Sequence, residues 1–192
     1  MGQDRQDDQE RTALLETRTR PAGQDGDGAA ALLAPGMRIG RYRIDALVGQ
    51  GGMGEVYRAE QLEPVRRTVA LKVLRAQTLD ARHLAYFEVE RQLLAQMRHP
   101  AIAQVYDAGT TAEGHPFFAM EFIEGSPVTR YCEAHAVPLP QRLALLVRIC
   151  EGVQHAHQKG VIHRDLKPGN LLVDDVDGRP LPRIIDFGIA TA

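Results

Sequence analysis

Two short polar motifs constrain this chain more than any other feature. The run from His163 to Asn170 reads H-R-D-L-K-P-G-N, and Asp186-Phe187-Gly188 follows shortly before the end of the sequence. The first motif places an acid, a lysine and an amide within one loop, and the second adds another acid. Such a set suits phosphoryl transfer, in which negative charge is neutralised and a hydroxyl is aligned with a phosphorus atom. Any fold of this chain must bring the two motifs together.

A glycine-rich segment, with Gly49, Gly51 and Gly54, lies nearer the N-terminus. Glycine lets the backbone approach a phosphate closely and adopt angles closed to other residues. A dinucleotide-binding turn is the competing interpretation, and it needs a helix directly after the glycines. Residues 55–59 alternate as a strand does instead. The segment therefore predicts a phosphate-binding hairpin.

Lys72 lies inside an apolar run from Val69 to Leu74. A lysine in a buried strand is costly unless its charge is paired, so this position predicts a functional lysine.

These motifs, in this order, resemble the eukaryotic-type serine/threonine protein kinases, with a bacterial character. The resemblance covers about residues 41–192 and implies an α+β, protein-kinase-like two-lobed fold. The N-lobe would be complete, with a five-stranded antiparallel sheet and one helix, and the C-lobe partial, because the sequence ends just after Asp-Phe-Gly. The implied boundaries are a disordered tail over 1–36 and a kinase domain over 37–192, divided into an N-lobe at about 41–121, a hinge at about 122–126 and a partial C-lobe at 127–192.

The resemblance also implies the catalytic roles. Asp165 would accept or orient the proton of the attacking hydroxyl, and Lys167 would neutralise the γ-phosphate. Lys72 would contact the α- and β-phosphates and pair with a helix glutamate, for which Glu90 is preferred and Glu88 is the fallback.

The implied cofactors are ATP and Mg²⁺. Asn170 and Asp186 would be the metal ligands, since Mg²⁺ prefers hard oxygen ligands. Met120 matches the gatekeeper position before the hinge, and the backbone of Glu121 and Ile123 would bind the adenine edge. The full set implied to bind the nucleotide is Val48, Gly49, Gly51, Gly54, Val56, Ala70, Lys72, Met120, Glu121, Ile123 and Leu172.

The implied function is ATP-dependent phosphorylation of serine or threonine on protein substrates. One alternative is a non-catalytic, nucleotide-binding pseudokinase, but such proteins usually lose the lysine or an acid, and Lys72, Asp165, Asn170 and Asp186 are all present. The other alternative is a small-molecule phosphotransferase of the same fold, which Lys167 disfavours.

Composition limits the expected partners and the expected cellular compartment. The net charge of −2 gives no basic field, so nucleic acid is not an expected partner. Cys132 and Cys150 lack C-x-x-C spacing and are expected to be reduced thiols. No apolar run approaches the length of a membrane span, and the start lacks the apolar core of a secretory signal. These features predict a cytoplasmic protein.

Periodicity predicts the remaining elements. Strands are expected at 41–48, 55–59, 68–74, 102–106, 116–122, 171–173 and 182–185, and helices at 79–97, 127–136 and 140–159. In the last helix, Leu143, Leu146, Val147, Cys150 and Val153 recur at helical spacing. Of its two histidines, we expect His157 to pack under the catalytic loop. The polar composition of residues 1–36 predicts disorder, with 29–34 able to form a helical turn that rests on the domain.

Overall fold

A computed structural model describes residues 31–52, 54–75, 92, 94 and 96–187. The helix predicted at 79–97 lies mostly outside these residues, as do Glu88, Glu90 and Gly188.

The N-terminal half forms one antiparallel sheet, because its segments alternate apolar and polar residues with the period of two that a half-buried strand requires. The strand order is β1-β2-β3-β4-β6-β5. The bounds are β1 Arg38–Ile39, β2 Tyr42–Gly51, β3 Gly54–Gln61, β4 Arg67–Leu74, β5 Val105–Thr110 and β6 Pro116–Glu121.

The two faces of this sheet differ. On one face Tyr57, Val69 and Leu71 are fully buried in an apolar cluster. Alternation places Val56, Ala70 and Lys72 on the opposite face. The second face therefore carries three of the residues predicted to bind the nucleotide.

The C-terminal half begins after a stretch without regular structure, residues 122–125. It contains β7 Ser126–Pro127, α1 Val128–Ala134, α2 Leu139–Gln158, a 3₁₀ turn Pro168–Asn170, β8 Leu171–Val176 and β9 Arg179–Ile184. Strands β7, β8 and β9 form a second antiparallel sheet. A proline in its first turn favours the start of α2, and Gly160, with φ of 76°, follows its end as a C′ glycine does.

Helix α2 buries a different face from the one that its larger apolar residues mark. The buried residues are Leu145, Ile149, Gly152 and Ala156. Leu143, Leu146 and Val147 are between 52% and 56% exposed, and Cys150 is also exposed. The expectation for His157 is wrong, since its side chain is exposed, while the half-buried His155 lies 5.3 Å from the ring of His99.

The two halves are joined through β9. The Ile184 amide donates to the Ala101 carbonyl at 2.7 Å, and the Ala103 amide donates to the Ile184 carbonyl at 2.9 Å. This pairing explains why the strand predicted at 102–106 begins only at Val105. A shared apolar core covers the junction; it comprises Leu74, Leu94, Met97, Ile102, Phe118, Met120, Ile149, Ala156, Val161, Ile184 and Phe187.

The segment before β1 contacts the sheet. Leu33 is 7% exposed and packs in the apolar cluster of the first face, and the Gly36 amide donates to the Ile44 carbonyl at 2.8 Å. Residues 31–37 form bends and a turn rather than a helical turn. Strand β1 is a further element that periodicity did not indicate. No helix among the described residues is long and apolar enough to span a membrane.

Candidate active site

The loop after α2 folds around Asp165. Lys167 Nζ lies 2.8 Å from Asp165 Oδ2. Asn170 Nδ2 donates to the Asp165 carbonyl at 2.8 Å and to its Oδ2 at 3.2 Å. The acid, lysine and amide of the first motif thus form one hydrogen-bonded group.

The surroundings of Asp165 favour its charged form. The hydrogen bond from Lys167 is the largest influence, and together with the charge of Lys167 and the hydrogen bond from Asn170 it lowers the pKa of the Asp165 carboxyl below its ordinary value. The carboxylate is exposed, so an incoming group can reach it.

Two hydrogen bonds to the backbone of Ile185 attach this loop to the second motif. The Ile185 amide donates to the Asn170 carbonyl at 2.9 Å, and the buried His163 bonds through Nε2 to the Ile185 carbonyl at 3.0 Å. The His163 ring also packs against Phe187, with centroids 4.6 Å apart. Asn170 and Asp186 are therefore held at the same end of the β8–β9 hairpin.

Lys72 reaches this group from the other half of the molecule. Its side chain is largely buried, and Nζ forms an ion pair with Asp186 Oδ1. Lys72 is held in place by its strand, with Val56 and Phe118 as its cross-strand neighbours. The pairing predicted with Glu90 lies outside the described residues and stays a prediction.

The glycine-rich turn adjoins the same strand. Gly54 is paired with Leu74, and a Cβ added to Gly54 would lie well inside 3.0 Å of the Val73 carbonyl oxygen. Gly49 and Gly51 have open space where a Cβ would be. Close strand packing therefore requires glycine at 54, whereas the other two leave room beside the turn.

Several residues predicted to hold the adenine lie on one sheet face or at the hinge. Ala70 in β4 is the cross-strand partner of Met120 in β6. Val56 in β3 pairs with Lys72, which is two residues after Ala70 on the same face of β4. Val48 lies in β2 and is 42% exposed. Leu172 lies in β8, beside β7.

At the hinge, the Glu121 amide already donates to the Gln104 carbonyl at 2.8 Å. This leaves only the carbonyl of Glu121 to meet an adenine edge. Ile123 is 9% exposed.

The sequence is similar to those of known proteins. The sequence matches the protein kinase domain family over residues 42–192. The chain belongs to this family. It is 40% identical to the DNA damage-responsive serine/threonine-protein kinase RqkA of Deinococcus radiodurans over 82% of this chain and 23% of RqkA. It is 37% identical to the serine/threonine-protein kinase PrkC of Bacillus subtilis over 82% of this chain and 24% of PrkC.

The fold agrees with solved kinase domains. The crystal structure of the Mycobacterium tuberculosis PknI kinase domain superposes with a TM-score of 0.70 and 31% identity, covering 83% of this chain and 64% of that domain. The partial two-lobed kinase fold expected from the sequence is thereby confirmed. The chain spans about a quarter of the length of the full-length relatives it matches.

The sequence interpretation missed two charged residues of this kinase domain. Arg183 in β9 forms an ion pair with the hinge residue Glu121 and donates to the Pro100 carbonyl at 2.9 Å. Glu55 in β3 is fully buried. A signal for Glu55 exists in the sequence, because strand alternation places this carboxylate on the apolar face with Tyr57.

Proposed function

We propose that this chain is the nucleotide-binding and catalytic part of a kinase that transfers the γ-phosphoryl group of ATP to serine or threonine hydroxyls of proteins. The observation that carries the proposal is the meeting of Lys72 with Asp186 beside the loop of Asp165, Lys167 and Asn170. Two cationic side chains, two acids and an amide converge there from both halves of the domain.

The adenine would lie between Val56 and Ala70 on one side and Leu172 on the other, with Val48 closing the outer edge. Its hydrogen-bonding edge would meet the carbonyl of Glu121 and the backbone of Ile123. The Ile123 amide has no partner among the described residues, which supports this assignment. Met120 would form the back wall.

The residues present fit a Mg²⁺–ATP complex. Because Asn170 uses its amide nitrogen on Asp165, its Oδ1 is left to bind a cation, and Asp186, at the same end of the β8–β9 hairpin, would supply a second oxygen ligand. When bound, the metal would neutralise phosphate charge. Mg²⁺ is usually held by one or two protein oxygens together with substrate phosphates, which suits this small donor set.

The chain's own charged groups would do the rest. Lys72 would hold the α- and β-phosphates, and the backbone at Gly49, Gly51 and Gly54 would approach them from above. Asp165, kept ionised by Lys167, would accept the hydrogen bond of the substrate hydroxyl and orient it. Lys167 would lie beside the transferring group. Positioning and charge neutralisation are the main sources of catalysis in such sites.

The proposal also includes the acceptor residues and the cellular location. Relatives named as serine/threonine-protein kinases, together with Lys167 between the acid and the amide of the loop, support serine and threonine as acceptors. A cytoplasmic location is part of the proposal, supported by the two free cysteines.

The test is phosphate transfer by the full-length protein, supplied with Mg²⁺ and radiolabelled ATP and offered generic proteins or small alcohols. We expect label on serine and threonine of protein, and a roughly 10²–10³-fold loss in Lys72→Met, which removes one preorganised charge. Lys159→Met, at the exposed end of α2, is the matched control and should retain activity. Label on small alcohols alone would favour the phosphotransferase alternative. Tight ATP binding without any transfer would favour the pseudokinase.

A further inference from the structure

We propose that Glu55 is a positioning residue for phosphoryl transfer, and that it acts by fastening residues 32 and 33 of the N-terminal segment to the base of the glycine-rich turn. This inference rests on the proposed kinase function. Within the described part of the chain, the bonded partners of the Glu55 carboxylate include none of the residues predicted to bind the nucleotide. Its side chain lies on the sheet face opposite Lys72.

The carboxylate of Glu55 is a fully buried acceptor with both oxygens in use. Oε2 accepts the Leu32 amide at 2.8 Å and the Tyr57 hydroxyl. Oε1 accepts Arg75 Nη2 at 2.9 Å and Gln50 Nε2 at 3.1 Å. A buried charge needs this degree of pairing, because an unpaired one is strongly destabilising.

The donors come from four separate parts of the domain. Gln50 is the penultimate residue of β2, on one side of the glycine-rich turn, and is the cross-strand partner of Glu55 on the other side. Arg75 directly follows β4, the strand of Lys72. Tyr57 lies two residues along β3. The carboxylate therefore ties together the three strands that carry the turn and the nucleotide lysine.

The N-terminal segment is the fourth partner. In addition to the Leu32 amide on Glu55, the Leu33 amide donates to the Tyr57 hydroxyl at 3.0 Å. The Leu33 side chain is buried against the same face of the sheet. Two consecutive backbone amides thus depend on one carboxylate and one hydroxyl that lie immediately beside the glycine-rich turn.

Glu55 lies close to Lys72 in the pairing of β3 with β4. Glu55 is paired with Val73, and the next pair is Val56 with Lys72. Loss of the N-terminal segment would leave the carboxylate short of a donor, and loss of the carboxylate would release the ends of β2 and β4. In both cases we expect the turn to hold the phosphates less firmly relative to Lys72.

The test compares Glu55→Gln, Tyr57→Phe and a deletion of residues 1–34 with two controls in the full-length protein. Deletion of residues 1–30 keeps both amides. Glu60→Gln makes the same chemical change on the same strand, at a partly exposed pair with Arg43. We expect the three test variants to raise KM for ATP and lower kcat, for a combined loss in kcat/KM of roughly tenfold or more, since hydrogen bonds to a charged group are lost. The controls should stay within about twofold.

Two readouts separate positioning from simple loss of folding. Activity is measured well below the melting temperature of each variant, and Mg²⁺–ATP affinity is measured directly. Hydrogen exchange at the Leu32 and Leu33 amides should accelerate in Glu55→Gln and Tyr57→Phe. Wild-type kinetics in folded Glu55→Gln and in the 1–34 deletion would overturn the inference. If the unmodified protein transfers no phosphate, the proposed function fails, while amide exchange and nucleotide affinity still test the role of Glu55.

Discussion

Glu121, which ends β6 just before the hinge, and Arg183 of β9 are joined by an ion pair that connects the two sheets of the domain. The same arginine donates to the Pro100 carbonyl, and the same glutamate accepts the Gln104 amide at 3.2 Å. The side chain of Glu121 is 30% exposed and that of Arg183 is 14% exposed, so solvent screens the pair less than it screens a surface bridge. The contact therefore fixes the hinge against β9, which leads directly to Asp186.

Glu121→Gln should destabilise the domain, because Arg183 would keep a buried charge with only a carbonyl as partner. We expect a loss of about 1–2 kcal/mol in the free energy of unfolding, below the cost of breaking a fully buried pair. Urea unfolding measures the change. Glu60→Gln, which breaks the more exposed pair with Arg43, should cost less than about 1 kcal/mol. Equal losses in the two variants would contradict the role given to the hinge pair.

The two glycines at the ends of the turn should respond differently to alanine. A Cβ at Gly54 meets the Val73 carbonyl oxygen, whereas a Cβ at Gly51 meets nothing within 4 Å. We expect Gly54→Ala to cost about 1–3 kcal/mol through displacement of β3 from β4, and Gly51→Ala to stay within about 0.5 kcal/mol. Melting temperatures of the two variants decide the point. A neutral Gly54→Ala would show that the strands are not packed as described.

Asp165→Asn should separate binding from chemistry. The substitution keeps the size of the side chain but removes the charge that would orient the substrate hydroxyl. We expect kcat to fall by about 10²–10⁴-fold while the affinity for ATP changes little. Steady-state kinetics with varied ATP, together with direct nucleotide titration, provide the measurement. Turnover within twofold of the unmodified protein would remove Asp165 from its proposed role.

Acid should destabilise the domain partly through Glu55. Burial by itself would raise the pKa of Glu55, but hydrogen bonds from Tyr57, Leu32, Arg75 and Gln50 outweigh it, and the pKa is lowered. A lowered pKa in the folded state gives stability that is present above the unfolded value, about 4.3, and is lost as the pH falls below it. The melting temperature of Glu55→Gln should therefore fall less between about pH 5 and pH 3 than that of the unmodified protein. Parallel pH profiles would argue against a charged Glu55.

Much of the fold and the motif residues of the site could be predicted from sequence, because their signals are local. Strand alternation marked β2, β3 and β4, and the loop from His163 to Asn170 follows the known order of a kinase. The end of α2 just before Gly160 could likewise be predicted from a single residue.

The contacts that join distant segments could not be read in this way. The partner of Lys72 in this structure is Asp186, which is far along the chain. Likewise, Ile102 pairs with Ile184 rather than extending β5. In α2, hydrophobicity alone marked Leu143 and Val147, but the second sheet packs on the adjacent stripe of Leu145 and Ile149. Which apolar stripe is buried depends on the neighbour and not on the helix.

That exposed stripe leads to a prediction for the 192-residue chain on its own. Leu139, Leu143, Leu146 and Val147 are each more than half exposed along one side of α2, and apolar surface of this kind favours association. The chain also matches only 64% of the solved PknI domain. We expect the isolated chain to self-associate, to bind ATP weakly at best and to transfer no phosphate to protein. Light scattering after size exclusion, with a radiolabel assay on a generic substrate, measures both properties. Leu143→Glu combined with Val147→Glu should reduce the association without restoring transfer, and a monomeric, fully active chain would refute the prediction.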